Sequence, residues 1–212
     1  MKKGLDILTK VVIVIVYIYT WRVYKTNISV LNSDYVFLYL ILFVGSLLSD
    51  RHFFKGQSSE NKKGYEMTSY ILYITWFITL IIPLLEYVYM VRYNILVTLM
   101  GTFLIVLGII IRGIGIKTLG KFFSRDVETW SNQKVVRVGI YKYIRHPAYC
   151  GNILQVIGFP LVLNSYYSLV LSIVTICIFL WRIKVEEKFL IKELPEYKEY
   201  IKETKRVIPK IW

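Results

Sequence analysis

The stretch ILQVIGFPLVLNSYYSLVLSIVTICIFLW, residues 153–181, decides the fold. Its 29 residues would make a helix roughly 43 Å long at 1.5 Å per residue. A bilayer hydrocarbon core is only about 30 Å thick, so one straight span does not fit. Near its middle stands Leu163-Asn164-Ser165-Tyr166-Tyr167, with Pro160 just before it. Proline and the Asn-Ser pair break a helix, and paired tyrosines suit a membrane interface. The stretch therefore predicts a tight hairpin of two short membrane helices.

Further apolar runs lie outward from the hairpin at about Leu8–Tyr24, Tyr35–Leu48, Ser69–Val91 and Ile95–Ile111. Leu, Ile, Val and aromatics fill every face of these runs and no strand periodicity is present, the pattern of transmembrane helices. The first run follows Lys2, Lys3 and Lys10 as a signal peptide would, but it continues into Thr20-Trp21-Arg22 without a small-residue cleavage site. It reads as a retained anchor. Composition agrees: 56% of the 212 residues are hydrophobic and 19% charged, with a mean hydropathy of +0.51. These values make a polytopic membrane protein, rather than a soluble globular domain, the default reading.

The net charge of +13 arises from 27 Lys and Arg against 14 Asp and Glu. In a soluble chain such an excess would suggest nucleic acid; here loops facing anionic membrane lipids explain it, and no compact basic-aromatic domain remains to bind DNA. The distribution of the basic residues tests the hairpin. With the hairpin and a cytoplasmic N-terminus, 24 fall in inside segments and 3 (Arg22, Lys25 and Arg92) in outside turns. A single span over residues 153–181 would move a large basic segment outside, against the positive-inside rule. The fold expected is an all-α polytopic membrane protein with six membrane segments, or five if the short Tyr35–Leu48 run does not cross. Both termini are expected in the cytoplasm. Residues 1–111 hold the N-terminal transmembrane helices, and 112–212 hold a cytoplasmic segment, the hairpin and an amphipathic tail.

The tail carries Ile183, Leu190, Leu194, Tyr197 and Ile201 as an apolar stripe interrupted at Pro195. Two short helices, Arg182–Glu193 and Pro195–Glu203, are expected there, with Pro195 in a first-turn position. Cys150 and Cys177 show neither CxxC spacing nor suitably placed His neighbours, so no metal site and no disulfide framework is expected. Cys150, within the motif described next, reads more readily as small-residue filler than as a reactive thiol, and His52 as loop surface.

Two motifs carry chemistry. Arg145-His146-Pro147-Ala148-Tyr149-Cys150-Gly151 stands immediately before the hairpin and gathers a guanidinium, an imidazole, a phenol and a glycine. These offer donors for a carboxylate or ribose, a rigid turn at Pro147, and room at Gly151 for close backbone approach. A basic membrane anchor with an interfacial tyrosine has the same composition. Just beyond the hairpin, Arg182 and Glu186 are one helical turn apart, and Glu187 follows. Paired carboxylates at a membrane boundary need cationic partners, which a cationic ligand would supply, although a solvated charged turn reads the same way. Glu86 lies within an apolar run near Pro83; an acid there is a functional candidate, or it reaches toward the boundary at Arg92.

The two motifs, brought together by the hairpin, resemble the isoprenylcysteine carboxyl methyltransferase family and its relatives among membrane phospholipid methyltransferases. The resemblance extends from about Thr118 to Trp212. It runs through Thr118-Leu119-Gly120-Lys121-Phe122-Phe123, Gly139-Ile140-Tyr141, the Arg145–Gly151 motif, Glu186-Glu187, Tyr197-x-x-Tyr200 and Arg206-Val207-Ile208-Pro209. Many bacterial relatives have proline where this chain has Ile140. Gly113-Ile114-Gly115 also resembles a short Gly-x-Gly of the phospholipid branch, though it reads more readily as close helix packing by small residues.

The resemblance implies an integral membrane enzyme that transfers a methyl group from S-adenosylmethionine to a lipophilic acceptor, a small molecule or lipidated peptide, at the cytoplasmic surface. It implies that Tyr141, His146, Tyr149, Gly151, Glu186 and Glu187 belong to the cofactor pocket. A carboxylate acceptor needs a cationic group to orient it but no general base, and Arg182 or Arg145 could hold it by a bidentate contact. An amine or thiol acceptor would need proton removal, with His146 or Glu186 as the available base. A non-enzymatic scaffold or small transporter is the competing class, but transporters usually place polar groups near the midplane, not at one surface.

Overall fold

The computed structural model describes residues 33–53, 61–63, 66–124, 126–130, 133–209 and 212. The anchor expected at Leu8–Tyr24, the N-terminus and the turn holding Arg22 and Lys25 lie outside the described residues. The remaining apolar runs are all helical. They form α1 (Ser33–Phe53), α2 (Glu66–Tyr89), α3 (Ile95–Leu119), α4 (Pro147–Val162) and α5 (Ser168–Glu193), and the tail adds α6 (Tyr197–Glu203). Among the described residues, three helices are long and apolar enough to cross a membrane, over Met67–Tyr89, Ile95–Phe122 and Ser168–Glu193. Asp34–Leu48 and Pro147–Val162 form shorter apolar helices.

Local chemistry sets the boundaries. Asn94 caps α3, its side-chain oxygen accepting from the backbone N–H groups of Leu96 and Val97 at 3.0 and 3.3 Å. The helix ends where Gly120 takes φ +57°, a conformation that costs glycine little. Pro147 begins α4 in the first turn, where its missing N–H costs nothing. The expected hairpin is present. Asn164 turns the chain at φ +54°, and its side-chain amide donates to Thr98 Oγ1 at 2.9 Å. Ser165 Oγ donates to the Pro83 carbonyl at 2.9 Å.

Two expectations are corrected. Arg182–Glu193 is not a separate helix: α5 runs unbroken for 26 residues, about 39 Å, because nothing around Trp181 interrupts it. Its last turns therefore project past a hydrocarbon core of about 30 Å. Pro195 stands before α6, not in its first turn. The fold is helical as expected, with a short ladder beside the helices. Asn61–Lys63 (β1) pairs antiparallel with Glu128–Trp130 (β2), with Lys62 opposite Thr129. This ladder joins the α1–α2 connection to the α3–α4 connection, so both lie on one side of the helices.

The most extensive packing is between α3 and α4. Gly101, Gly108 and Gly115 recur every seven residues on α3, and Gly151 and Gly158 do so on α4, the spacing that keeps a seam facing its partner. A Cβ added at Gly108 would lie 2.5 Å from the Gly151 carbonyl oxygen, and one added at Gly151 would lie 2.4 Å from the Gly108 oxygen. Small residues here let two backbones touch, and Gly115 packs likewise on Pro147, whose Cγ would lie 3.0 Å from a Cβ added there. The main apolar core lies toward the hairpin turn, where Tyr39, Leu80, Tyr87, Ile105, Phe159 and Leu163 are buried together.

At that end Glu86 is engaged by the turn. It accepts from the backbone N–H groups of Tyr167 and Ser168 at 3.1 and 2.8 Å, and from Ser168 Oγ at 2.7 Å. Arg92 pairs with it at 3.0 Å. Glu86 thus caps the start of α5 from α2, a use of its charge that a reach toward the boundary alone does not describe.

Candidate active site

The opposite end collects the start of α2, the end of α3, the start of α4 and the end of α5. Here the hairpin brings the two motifs together, as expected, but it divides their members into two adjoining clusters. The first is centred on Tyr149. Its hydroxyl donates to Glu186 Oε2 at 2.6 Å and accepts from Arg182 Nε at 2.8 Å. Arg182 is buried, and its Nη1 donates to Thr68 Oγ1 at 3.0 Å and Ser69 Oγ at 2.9 Å. The guanidinium is therefore held in one orientation by three oxygens from two other helices.

The second cluster is centred on Glu187. One carboxylate oxygen lies 2.8 Å from Arg145 Nε and 3.3 Å from His146 Nε2, and the other lies 2.8 Å from Arg206 Nε. Arg145 also donates to the Ile201 carbonyl at 3.3 Å and to the Thr204 carbonyl. The backbone follows the same path: the N–H groups of Arg145 and His146 donate to the carbonyls of Lys205 and Arg206 at 2.8 and 2.9 Å. The tail is thereby clasped to the segment that starts α4. The His146 and Tyr149 rings, 5.6 Å apart between centroids, join the two clusters.

The sequence-derived candidates can now be placed. Arg182, Tyr149 and Glu186 meet as expected from the shared face of Arg182 and Glu186. Arg145 does not stand ready for a substrate carboxylate, because Glu187 and the tail carbonyls occupy its guanidinium. The room at Gly151 is filled by Gly108 and Arg112 of α3, so the close approach it permits is helix on helix. Gly115 makes the same use of its missing side chain, against Pro147 at the start of α4.

Tyr141 is buried in the short turn Gly139–Lys142, and its carbonyl accepts from the Tyr200 hydroxyl at 2.6 Å. Burial, with the Glu186 charge nearby, pushes the Tyr141 phenol well above the usual tyrosine range. Burial pushes that of Tyr200 up to about 12. Both remain protonated donors at any physiological pH.

Three participants escaped the sequence reading as site residues. Arg206 was visible only as part of a tail motif. Thr68 and Ser69 carry hydroxyls at the mouth of an apolar run, a position where such residues are ordinary. Among the described residues no group of three or more His, Cys, Asp or Glu could hold a metal.

Glu186 is half-buried, and its one hydrogen-bonding partner among the described residues is the Tyr149 hydroxyl. It therefore retains acceptor capacity for ribose hydroxyls or an ammonium group.

Residues 99–192 match the model of the isoprenylcysteine carboxyl methyltransferase family. Over 109 residues the chain is 40% identical to a protein-S-isoprenylcysteine O-methyltransferase of Saccharomyces cerevisiae, covering 50% of this chain and 46% of that protein. It is 27% identical over 116 residues to the cobalt-zinc-cadmium resistance protein CzcN of Cupriavidus metallidurans, covering 54% of this chain and 53% of that one. The chain thus spans about half the length of the curated relatives it matches. A solved structure of the eukaryotic intramembrane Ras methyltransferase ICMT superposes with a TM-score of 0.50 at 24% identity, over 69% of this chain and 52% of that one. That likeness shows a shared polytopic helical fold. The resemblance carried by the motifs is borne out in both sequence and fold.

Proposed function

We propose that this integral membrane protein is a methyltransferase that moves a methyl group from S-adenosylmethionine to the carboxylate of a prenylcysteine-like or other lipid-linked acid. The site faces the cytoplasm of the cell membrane, with both termini on that side. The observation that carries the proposal is the Arg182–Tyr149–Glu186 chain, in which a cation and an acid are held apart by one hydroxyl at the mouth of the helices. S-adenosylmethionine supplies an electrophilic methyl on a cationic sulfur. Glu186, Tyr149 and His146 are the residues suited to hold it, with Glu187 fixing the His146 ring at 3.3 Å and Tyr141 near the Glu186 charge.

The protein's own task is placement. A carboxylate is already nucleophilic, so orientation and a neighbouring fixed charge can provide most of the rate enhancement. Arg182, immobilised by Thr68, Ser69 and Tyr149, is the stationary cation that orients the acceptor. Its apolar chain stays among the helices, since leaving the bilayer costs about 0.8 kcal/mol per methylene.

The test uses purified protein in detergent or nanodiscs. S-adenosylmethionine should bind measurably by calorimetry, and an N-acylated prenylcysteine should acquire a base-labile methyl ester. Absence of cofactor binding would overturn the enzymatic reading. A base-stable methylated amine or thioether would replace the carboxylate acceptor by an amine or thiol.

A further inference from the structure

Helix α5 has two differently built faces. Ser168, Ser172, Thr175, Phe179, Ile183 and Glu187 are buried, at intervals of three and four residues that keep them on one side, toward α2, α4 and the candidate site. On the other side Val170, Ile173, Val174, Cys177 and Trp181 are exposed. That side continues through Lys184, Lys188 and Lys192, all exposed. At about 100° per residue these positions fall within an arc of about 100°. A single strip of helix surface is therefore apolar for about 17 Å and then basic for about 12 Å.

Among the described residues none of the three lysines enters an ion pair. The acids at this end are engaged elsewhere: Glu187 by Arg145, His146 and Arg206, Glu199 by Lys202, and Glu203 by Arg137. Within α5, Glu187 is the only acid three or four residues from any of the lysines, and it is turned inward. Helix α3 also ends in lysines, Lys117 and Lys121, but there Lys121 Nζ lies over the Phe122 ring at 5.1 Å.

Depth completes the pattern. Helix α5 starts beside Tyr166 and Tyr167, residues suited to a membrane interface. Counted from Ser168, Lys188 stands about 30 Å along the axis, which is about the thickness of the hydrocarbon core. Lys184 lies one turn below that level and Lys192 one turn above it. The Lys184 side chain is long enough to carry its ammonium up to the boundary. The three charges therefore collect at the depth of the lipid phosphates, directly above a strip that faces hydrocarbon. Membrane topology requires only a surplus of basic residues on one side. A row of lysines in register with an apolar strip adds a shape, that of one phospholipid lying along the helix.

We propose that this face of α5 binds an anionic phospholipid, with an acyl chain along Cys177 and Trp181 and the phosphate between Lys184 and Lys188. A zwitterionic headgroup carries its own cation, which the lysines repel, so the face selects lipids of net negative charge. The test reads tryptophan quenching in vesicles of equal parts phosphatidylcholine and phosphatidylglycerol, with acyl chains dibrominated on one species or on the other. The share due to Trp181 is the difference from Trp181→Phe.

Bromine on phosphatidylglycerol should quench Trp181 the more strongly, with a relative association constant of about 5, the effect of one lysine at an anionic surface. Salt at about 1 M, where the Debye length is about 3 Å, should bring the ratio close to unity. Lys184→Gln, Lys188→Gln and Lys192→Gln made together should do the same. Equal quenching by both species in the wild type would overturn the proposal and leave the lysines as determinants of topology alone. A preference that survives the three substitutions would also overturn it, placing the anionic lipid elsewhere. Quenching of Trp181 by neither species would overturn it in favour of another helix or a second copy of this chain against the face. If the triple variant fails to fold, the single substitutions and the salt series on the wild type still decide. The measurement uses no methyl donor and no acceptor, so its outcome is independent of the activity proposed above.

Discussion

Glu186 and Glu187 are adjacent in the chain, yet a helix turns about 100° between neighbours and so presents them to different surroundings. Glu187 is the common anion of Arg145, His146 and Arg206. Glu187→Gln should cost about 3–5 kcal/mol, chiefly because Arg145 is left buried without its counter-charge. Thermal unfolding in detergent should therefore fall markedly, with or without cofactor. Glu186→Gln should leave unfolding near wild type and weaken S-adenosylmethionine binding; the opposite ranking would exchange their roles. Arg182→Lys keeps the charge but cannot reproduce a planar fork that reaches Tyr149, Thr68 and Ser69 together. Turnover should drop at least tenfold with cofactor affinity little changed, while near-normal turnover would reduce Arg182 to a membrane anchor.

At the scale of elements, the α3–α4 seam places the site. His146 stands at the cap and Tyr149 in the first turn of α4, whose distance from α3 is set by Gly108 and Gly151. A methyl group at either glycine meets backbone, which cannot rotate aside as a side chain can. Gly108→Ala and Gly151→Ala should each cost about 1–3 kcal/mol, read as lower thermal stability before any cofactor is added. Gly45→Ala in α1 is the control: nothing lies within 4 Å of the added carbon, so stability should be unchanged or rise by up to about 1 kcal/mol. If Gly151→Ala alters cofactor binding but not stability, the glycine contacts ligand and the packing account fails. The seven-residue glycine spacing was legible in the sequence, but which surface it served was not, because a missing side chain suits a ligand and a neighbouring helix equally.

The whole molecule is polarised along the helix axes. One end holds the ionic clusters, the β1–β2 ladder and the clasped tail; the other holds the hairpin turn with Glu86 and Arg92. Arg92 also lies over the Tyr166 and Tyr167 rings, at 5.5 and 4.8 Å. The positive-inside reading would place the end with the ionic clusters in the cytoplasm. Tyr167 is 64% exposed at the turn. With Cys150 and Cys177 replaced by alanine, Tyr167→Cys should react with a membrane-impermeant maleimide on intact cells, and Ile208→Cys only after permeabilisation. The reverse pattern would invert the topology and turn the proposed site outward.

Hydropathy, turn chemistry and charge asymmetry are local or additive properties. They were enough to predict the helical runs that the structure describes, the break at Asn164–Tyr167 and the proximity of the Arg145–Gly151 motif to Glu186. A bilayer enforces that legibility, because each spanning segment must satisfy its own backbone whatever surrounds it. Partner choice is another matter. Arg182 meets Thr68 across 114 residues of chain, Glu86 meets Ser168 across 82, and Arg145 meets Glu187 across 42. Each of these pairings depends on the rotation and depth of helices that pack against one another. Such quantities are set by the glycine seam and the interlocking side chains together, and no single segment contains them. For that reason only the tertiary structure could separate the two glutamates, turn Arg145 toward the tail and set Lys184, Lys188 and Lys192 on the outer face of α5.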